Sequence, residues 1–460
     1  MSKCNASHYQ DFTNLDQWLY YLENLHSTEI DLGLTRIKQV ATRLAIDLSF
    51  ATVITVAGTN GKGTTCAFLE NALLDDMLPE SLNHALGQNH FYQNGEKSVA
   101  VYSSPHIERF NERLRINKID VGDLALIEAF KKIEQARAEV SLSYYEYTTL
   151  AAFLVLMDVK PSFIILEVGL GGRLDATNII DADVAVITTI DLDHQAFLGN
   201  DRETIGFEKA GIMRSEQVIV IGDTNAPQSV INHATKMSAD NPTDLHIRNQ
   251  NFTISEEGTS HSSWTWQSSQ CPNQPLNQLI ATFIPRDNVA TALMVLVSLG
   301  IDLDTEFVNR IIAQTKVAGR TELFHQQGSC DVMLDVGHNP QASRYLAHYL
   351  QKLKQHTKYK QVHAVVAMLG DKDISNSLSA LSNEVEHWYL GQLMVPRAAT
   401  IELMTQILSL QSTVSSNMIN CFDNVTDAFR IANQHAEPDD LILVFGSFYT
   451  VAEVRQLLLP

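Results

Sequence analysis

One short run dominates what this chain can become. Gly58-Thr59-Asn60-Gly61-Lys62-Gly63-Thr64-Thr65 lies between the β-branched stretch Val53-Ile54-Thr55-Val56-Ala57 and a helical apolar pattern over 65–74. A strand that passes through a glycine-rich turn straight into a helix points to a parallel-sheet α/β architecture, because parallel strands need a crossover connection. The turn also suits a phosphate. Backbone N–H groups at a helix start, aided by the helix dipole, attract an anion. Asn60, Gly61 and Gly63 let the main chain approach a triphosphate, Lys62 neutralises β- and γ-phosphate charge, and Thr64 is placed to ligate Mg2+. The run departs from GxxxxGK[ST] in having a glycine between the lysine and the threonine. A glycine-rich turn without a ligand has the same local composition, so the other strand ends must decide.

The alternation of strand and helix continues. Apolar residues at Leu15, Trp18, Leu19 and Leu22, and at Leu34, Ile37, Val40, Ala41 and Leu44, describe two amphipathic helices ahead of the first strand. Strands are expected at 99–102, 163–168, 184–189 and 218–221, with helices over 121–140 and 147–158. Near-continuous apolar strands separated by helices indicate a sheet covered on both faces. Between 225 and 285 the texture becomes Ser-, Gln-, Asn- and Trp-rich and ends in Pro272, Pro275 and Pro285, which reads as an irregular, antiparallel decoration. A second series has strands at 331–336, 362–369, 388–393 and 441–445 and helices at 341–354, 400–410 and 426–434. The expected plan is a P-loop NTPase-like parallel-sheet domain with N-terminal helices over 1–316, then a smaller Rossmann-like α/β domain over 317–460.

Charge and composition narrow the partners. The 460 residues carry 33 Lys plus Arg against 53 Asp plus Glu, a formal charge of −20, which argues against nucleic acid and membrane surfaces. The longest uncharged apolar stretches, 147–157 and 289–301, are too short to cross a bilayer, which needs about 20 residues. The first residues develop no hydrophobic signal region, so a cytoplasmic location is expected. Cys4, Cys66, Cys271, Cys330 and Cys421 show no CxxC spacing, and neither a disulfide framework nor a zinc site is indicated.

In open α/β sheets ligands gather at the carboxyl ends of the strands, and polar residues cluster there. Ser103-Ser104-Pro105-His106 follows the second strand. Glu167 closes an apolar run just before Gly169-Leu170-Gly171-Gly172-Arg173-Leu174-Asp175, where a carboxylate needs a cation or a proton. A metal ion would serve, and so would Arg173 or a lysine. Asp191-Leu192-Asp193-His194 ends a third strand; a lone histidine there is as compatible with a structural role as with a metal ligand. Lys209, in Glu208-Lys209-Ala210-Gly211-Ile212, reads alone as a surface lysine paired with Glu208 or Glu203. Asp335-Val336-Gly337-His338-Asn339-Pro340, Gly370-Asp371-Lys372-Asp373 and Gly446-Ser447-Phe448-Tyr449 follow strands of the second series. Turn chemistry explains their Gly, Asn and Pro, but not His338 or Lys372.

Taken in order, GTNGKGT, YSSPH, YYEYTTLAAF, LEVGLGGRLDATN, LDHQAFLGNDRETIGFEKAGI, DVGHNP, MLGDKD and FGSF resemble the folylpolyglutamate synthase family of the Mur-ligase superfamily over about residues 22–454. The resemblance implies ATP-dependent amide formation between L-glutamate and dihydropteroate or reduced folates, through an acyl phosphate, by a monomer. It implies Mg2+ ligands at Ser104, Glu167 and His194, and a CO2-derived carbamate on Lys209 that holds a second Mg2+. It also implies Asn288, Arg320 and Asp335 at the nucleotide, His338 near the phosphates or glutamate, Lys372 and Ser447 on the glutamate side, and Tyr145 and Asp175 at the pterin. Lys62, Lys209 and His338 would be the catalytic groups.

The chain departs from the family pattern at Gln195, usually Thr, at Val336-Gly337, usually Val-Ala, and at Thr148, often Gly; it also carries an insert over 75–97. Three alternatives stay open. A murein-precursor ligase would need an extra N-terminal domain, and 57 residues precede Gly58. A folylpolyglutamate synthase would lack the dihydropteroate step. A non-catalytic nucleotide sensor would not need Glu167, His194, Lys209 and Asp335 together.

Overall fold

The strand that leads into the glycine-rich run, β1 (Thr52–Ala57), is buried along its whole length. In the computed structural model, which describes residues 12–28, 30–75, 98–257, 263–281, 284–326, 328–356 and 359–459, β1 is central in an eight-stranded sheet. The other strands are β2 (Val99–Tyr102), β3 (Leu114–Ile116), β4 (Ile119–Asp120), β5 (Phe163–Glu167), β6 (Val184–Ile187), β7 (Val218–Ile221) and β8 (Leu245–Ile247), in the order β4-β3-β2-β5-β1-β6-β7-β8. Only the β2–β3 and β3–β4 pairs are antiparallel. Chain direction across the sheet reverses at β1, which creates a crevice at the carboxyl ends of β5, β1 and β6.

Strand side chains alternate between faces, and two cores result. Ile54, Val56, Val101 and Ile165 join the helices Lys62–Leu74, Arg286–Ser298 and Thr305–Gln314 on one face. Val53, Tyr102, Ile164 and Leu166 join Leu15–Glu23, Thr35–Arg43, Asp123–Arg137 and Tyr144–Val159 on the other. The helix expected from 147 begins at Tyr144, because Ser143 and Glu146 form a reciprocal capping box.

The 225–285 stretch is more regular than expected. Helix Gln228–Met237 leads to β8, which extends the main sheet in parallel. Only the remainder, β9 (Phe252–Glu257), β10 (Ser263–Ser268) and β11 (Leu276–Ile280), forms an antiparallel sheet. Trp264 and Trp266, two apart on β10, are both buried, and their indole N–H groups donate to the Ile280 and Ala290 carbonyls. The 76–97 portion of the insert and Cys4 lie outside the described residues.

Contacts divide the chain into two compact units: 1–104, 110–190 and 201–315 form the first, and 105–109, 191–200 and 316–460 the second. The second holds β12 (Glu322–Phe324), β13 (Asp331–Asp335), β14 (Val362–Val366), β15 (His387–Gly391), β16 (Ile419–Phe422) and β17 (Leu441–Phe445), ordered β12-β13-β17-β14-β15-β16. All pairs are parallel except β12–β13. The edge strands β12 and β16 had no expectation, since half-buried edges lack an apolar run. Among the described residues no helix is long and apolar enough to cross a membrane.

A buried polar cluster sits at the amino ends of β14 and β17. His363 bonds Tyr389 at 3.2 Å and Asp440 at 3.3 Å, and its ring stacks on His387. Burial, with His387 adding to it, lowers the His363 pKa below its ordinary 6.5. An unfolded chain therefore takes up this proton first as pH falls. The contribution of His363 to stability is therefore full above pH 6.5 and declines below it. Thermal melts of the full chain are expected to fall more steeply from pH 6.5 to about 5 than those of His363→Gln, which removes the titration; parallel profiles would refute this.

Candidate active site

The glycine-rich loop is braced from three sides. Thr188 and Thr189, just past β6, donate their hydroxyls to the Asn60 carbonyl at 2.7 and 3.1 Å, and Thr59 N–H donates to the Thr189 carbonyl at 2.6 Å. Gly61 has φ +91, and a Cβ there would stand 2.4 Å from Asn288 Oδ1, so residue 61 must be glycine for Asn288 to seat against the loop. Gly61 also N-caps helix Lys62–Leu74 and makes no side-chain hydrogen bond to its first-turn N–H groups, which suits a phosphate at this helix start. Thr64 is buried in the first turn. Lys62 folds back, its Nζ 3.1 Å from the Gly58 carbonyl and 3.3 Å from that of Thr59.

Lys209 meets the same carbonyl. It is only 5% exposed, not a surface lysine, and its Nζ donates to Gly58 O at 2.9 Å. Two ammonium groups thus share one acceptor. Of the partners expected for Lys209, Glu208 instead pairs with Arg173 at 2.8 Å and Glu203 accepts from Gln228 and Ser229 N–H at 3.0 and 2.7 Å. That pairing also removes Arg173 as the expected structural partner of Glu167.

Glu167 ends β5 opposite Val56 of β1, two residues before Gly58. It is 7% exposed, and a Cβ on Gly63 would stand 3.9 Å from both of its oxygens. Sheet register thus brings a buried carboxylate to the phosphate loop. Ser104 follows β2 and its hydroxyl stands beside Tyr145. The Tyr145 ring stacks on Tyr102 with centroids 6.2 Å apart and lies against Gly169, where a Cβ would meet its Cζ at 2.7 Å. Burial, and then the Asp175 charge, push the Tyr145 phenol well up, so it is neutral at ordinary pH.

Asp175 is already saturated. Oδ2 accepts from Gly169 N–H and Leu170 N–H at 3.1 and 2.9 Å, and Oδ1 from the Thr177 N–H and hydroxyl at 3.0 and 2.6 Å. The geometry makes it the tie that shapes the Gly169–Gly172 turn.

In the second unit Asp335 Oδ2 accepts from Thr321 N–H at 2.9 Å and Oδ1 from Gly337 N–H at 2.7 Å. Burial raises its pKa, and the nearby Arg320, whose guanidinium lies 5.4 Å from the Phe448 ring centroid, opposes that rise. His338 Nδ1 donates to the Val336 carbonyl at 2.8 Å, and its Nε2 lies 3.4 Å from Asp193 Oδ2. Lys372 Nζ bonds the same Asp193 carboxylate at 2.8 Å. Asp193 is the residue that sequence reasoning passed over, although it precedes His194, which caps helix Gln195–Leu198 with a left-handed φ of 49°. Burial resists ionisation of Asp193, but His338, His194 and Lys372 outweigh it and hold the carboxyl far below the usual range. Ser447 is committed locally: it caps helix Phe448–Leu458 by accepting from Thr450 N–H at 3.0 Å.

The first unit therefore gathers Asn60 to Thr64, Asn288, Glu167 and Lys209, with Ser104, Tyr145 and Asp175 along the neighbouring strand ends. The second gathers His338 and Lys372 on Asp193, beside Asp335 and Arg320. Among the described residues no three His, Cys, Asp or Glu side chains converge as a metal cage. An oxygen donor such as Glu167 beside a phosphate loop still fits Mg2+, which keeps several waters and takes phosphate oxygens as ligands.

Known proteins share this plan. Residues 56–299 match the Mur ligase middle domain and residues 319–448 the Mur ligase glutamate ligase domain. The chain is 39% identical over 444 residues to the dihydrofolate synthase/folylpolyglutamate synthase of Escherichia coli (strain K12), with 96% of this chain and 95% of that protein covered. The solved structure of E. coli FolC in complex with DHPP and ADP matches with a TM-score of 0.83 at 39% identity, over 98% of both chains. That of the bifunctional folylpolyglutamate synthase/dihydrofolate synthase of Yersinia pestis with AMPPNP and Mn ion also scores 0.83, at 40% identity over 99% of this chain and 100% of that one. With both domains matched and more than a third of its residues identical to such relatives, the chain belongs to the Mur ligase family, among its dihydrofolate synthases/folylpolyglutamate synthases.

Proposed function

We propose that this chain is an ATP-dependent ligase that joins L-glutamate to dihydropteroate, giving dihydrofolate, and to reduced folates, extending their glutamate chain. It works as a cytoplasmic monomer without nucleic acid or membrane, with the ATP site in 1–316 and the glutamate-ligase portion in 317–460. A carboxylate is a poor electrophile with a poor leaving group, so the acid is first phosphorylated, and the glutamate amine then displaces phosphate. The loop N–H groups and Lys62 bind the phosphates. Asn288, Arg320 and Asp335 serve the nucleotide, Tyr145 offers a face to the pterin, and Asp175 shapes the turn beside it. His338 and Lys372 serve the glutamate side, and Ser447 orders the helix start behind them.

The observation that carries this reading is the meeting of Lys62 and Lys209 on one carbonyl, with Glu167 beside the same loop. Like charges so close repel. Carbamylation of Lys209 by CO2 keeps one N–H for Gly58 O, replaces the positive charge with a negative one and adds two oxygens. The repulsion then becomes attraction to Lys62, and the oxygens suit a hard cation. Ser104 and Glu167 would hold one Mg2+ and the carbamate a second; a bound metal would screen the charge of the transferring phosphoryl group.

The test is ADP release by the purified protein. It is expected to require dihydropteroate, or separately a reduced folate, together with L-glutamate. Hydrolysis of ATP indifferent to both would refute the reading, and turnover with reduced folates alone would restrict it to folylpolyglutamate synthesis.

A further inference from the structure

Asp193 lies in the 191–200 segment of the second unit, and its side chain is 10% exposed. Its carboxylate collects partners from three loops. On Oδ1 these are Lys372 Nζ and the His194 N–H, both at 2.8 Å; on Oδ2, Asn339 Nδ2 donates at 3.2 Å and His338 Nε2 stands at 3.4 Å. The other carboxylate near Lys372, that of Asp371, is 3.8 Å away and more exposed. A lysine has a flexible four-carbon stem, and ordering it costs conformational entropy. Asp193 meets that cost before substrate arrives. An ammonium has three donors and Asp193 takes one, so the rest can meet an incoming carboxylate.

Resting on the ligase reading above, we infer that Asp193 is a positioning residue for the glutamate half-reaction: it fixes Lys372 and His338 where the carboxylate of the attacking amino acid is received. The opposing role would have Asp193 occupy the cations as a substitute carboxylate that glutamate must displace. Burial and the number of partners favour positioning, since moving Asp193 away would take from Lys372, 7% exposed, its nearest carboxylate.

The two roles predict opposite signs. In Asp193→Asn the positioning role raises the KM for L-glutamate about tenfold, while the KM values for ATP and dihydropteroate change less than about twofold. Hydroxylamine can replace glutamate as the amine: it traps the acyl phosphate as a hydroxamate, with phosphate leaving, and this glutamate-independent reaction is expected to fall less than about threefold. The glutamate effects of Asp193→Asn and Lys372→Met should not add, because both remove one interaction. Should Asp193→Asn not fold, Asn339→Ala is expected to raise the same KM by about threefold with the same split.

A lowered KM for glutamate would establish the substitute-carboxylate role instead. Equal losses in glutamate ligation and hydroxamate formation, or additive effects, would also overturn the inference. A wild-type protein inert with every acid and amine would sink the ligase reading itself, and the positioning role with it.

Discussion

Lys209→Ala is expected to lower ligase turnover at least about a hundredfold, the scale on which removing one preorganised charge-stabilising group acts, while the chain stays folded. The side chain is buried and its Nζ donates to the Gly58 carbonyl at 2.9 Å. That carbonyl keeps Lys62 as a donor at 3.1 Å. On the proposed reading the variant also loses the carbamate, whose negative charge and two oxygens would complement Lys62 and a metal ion. The checks are kcat at saturating ATP, dihydropteroate and glutamate, a thermal melt, and a carbon-13 carbamate signal from labelled bicarbonate that is present in the wild type and absent from the variant. Wild-type turnover by Lys209→Ala would remove the carbamate from the mechanism.

Glu167→Gln is expected to lower kcat about a hundredfold and to raise the half-saturating Mg2+ concentration about tenfold, because an amide keeps the shape but not the charge of an oxygen ligand. Glu167 is 7% exposed, paired in register with Val56, and faces Gly63 of the loop. The carboxylate also reaches the buried Cys66 thiol, whose pKa is raised by burial first and by Glu167 second. Unfolding free energy should change by less than about 1 kcal/mol, since the buried contacts are conserved in shape. An unaltered Mg2+ dependence would show that Glu167 is not a ligand.

Much of the fold was legible because its signals are local. The loop at 58–65 and the apolar runs of β1, β5, β6, β13, β14 and β17 announce themselves within a few residues. Two local signals were present but unused: Ser143 with Glu146, which starts its helix at Tyr144, and Ser447 with Thr450, which makes Ser447 a cap. The short parallel strand β8 and the edges β12 and β16 were hidden, since three or four residues seen on one face leave no periodicity to read.

The site divides in the same way. Residue types and spacing alone determined that a phosphate-binding turn follows a buried strand, and that carboxylate, imidazole and amine groups punctuate strand ends, because those features depend on neighbours in the chain. The tertiary structure alone decided who meets whom. Lys209 finds Gly58 across 151 positions, Lys372 finds Asp193 across 179, and Asp175 spends all four bonds within its own turn. Such pairings follow from strand order and register, which are set by the packing of both cores together. A buried charge must settle its partner within that packing, so its role stays open until the sheet is assembled.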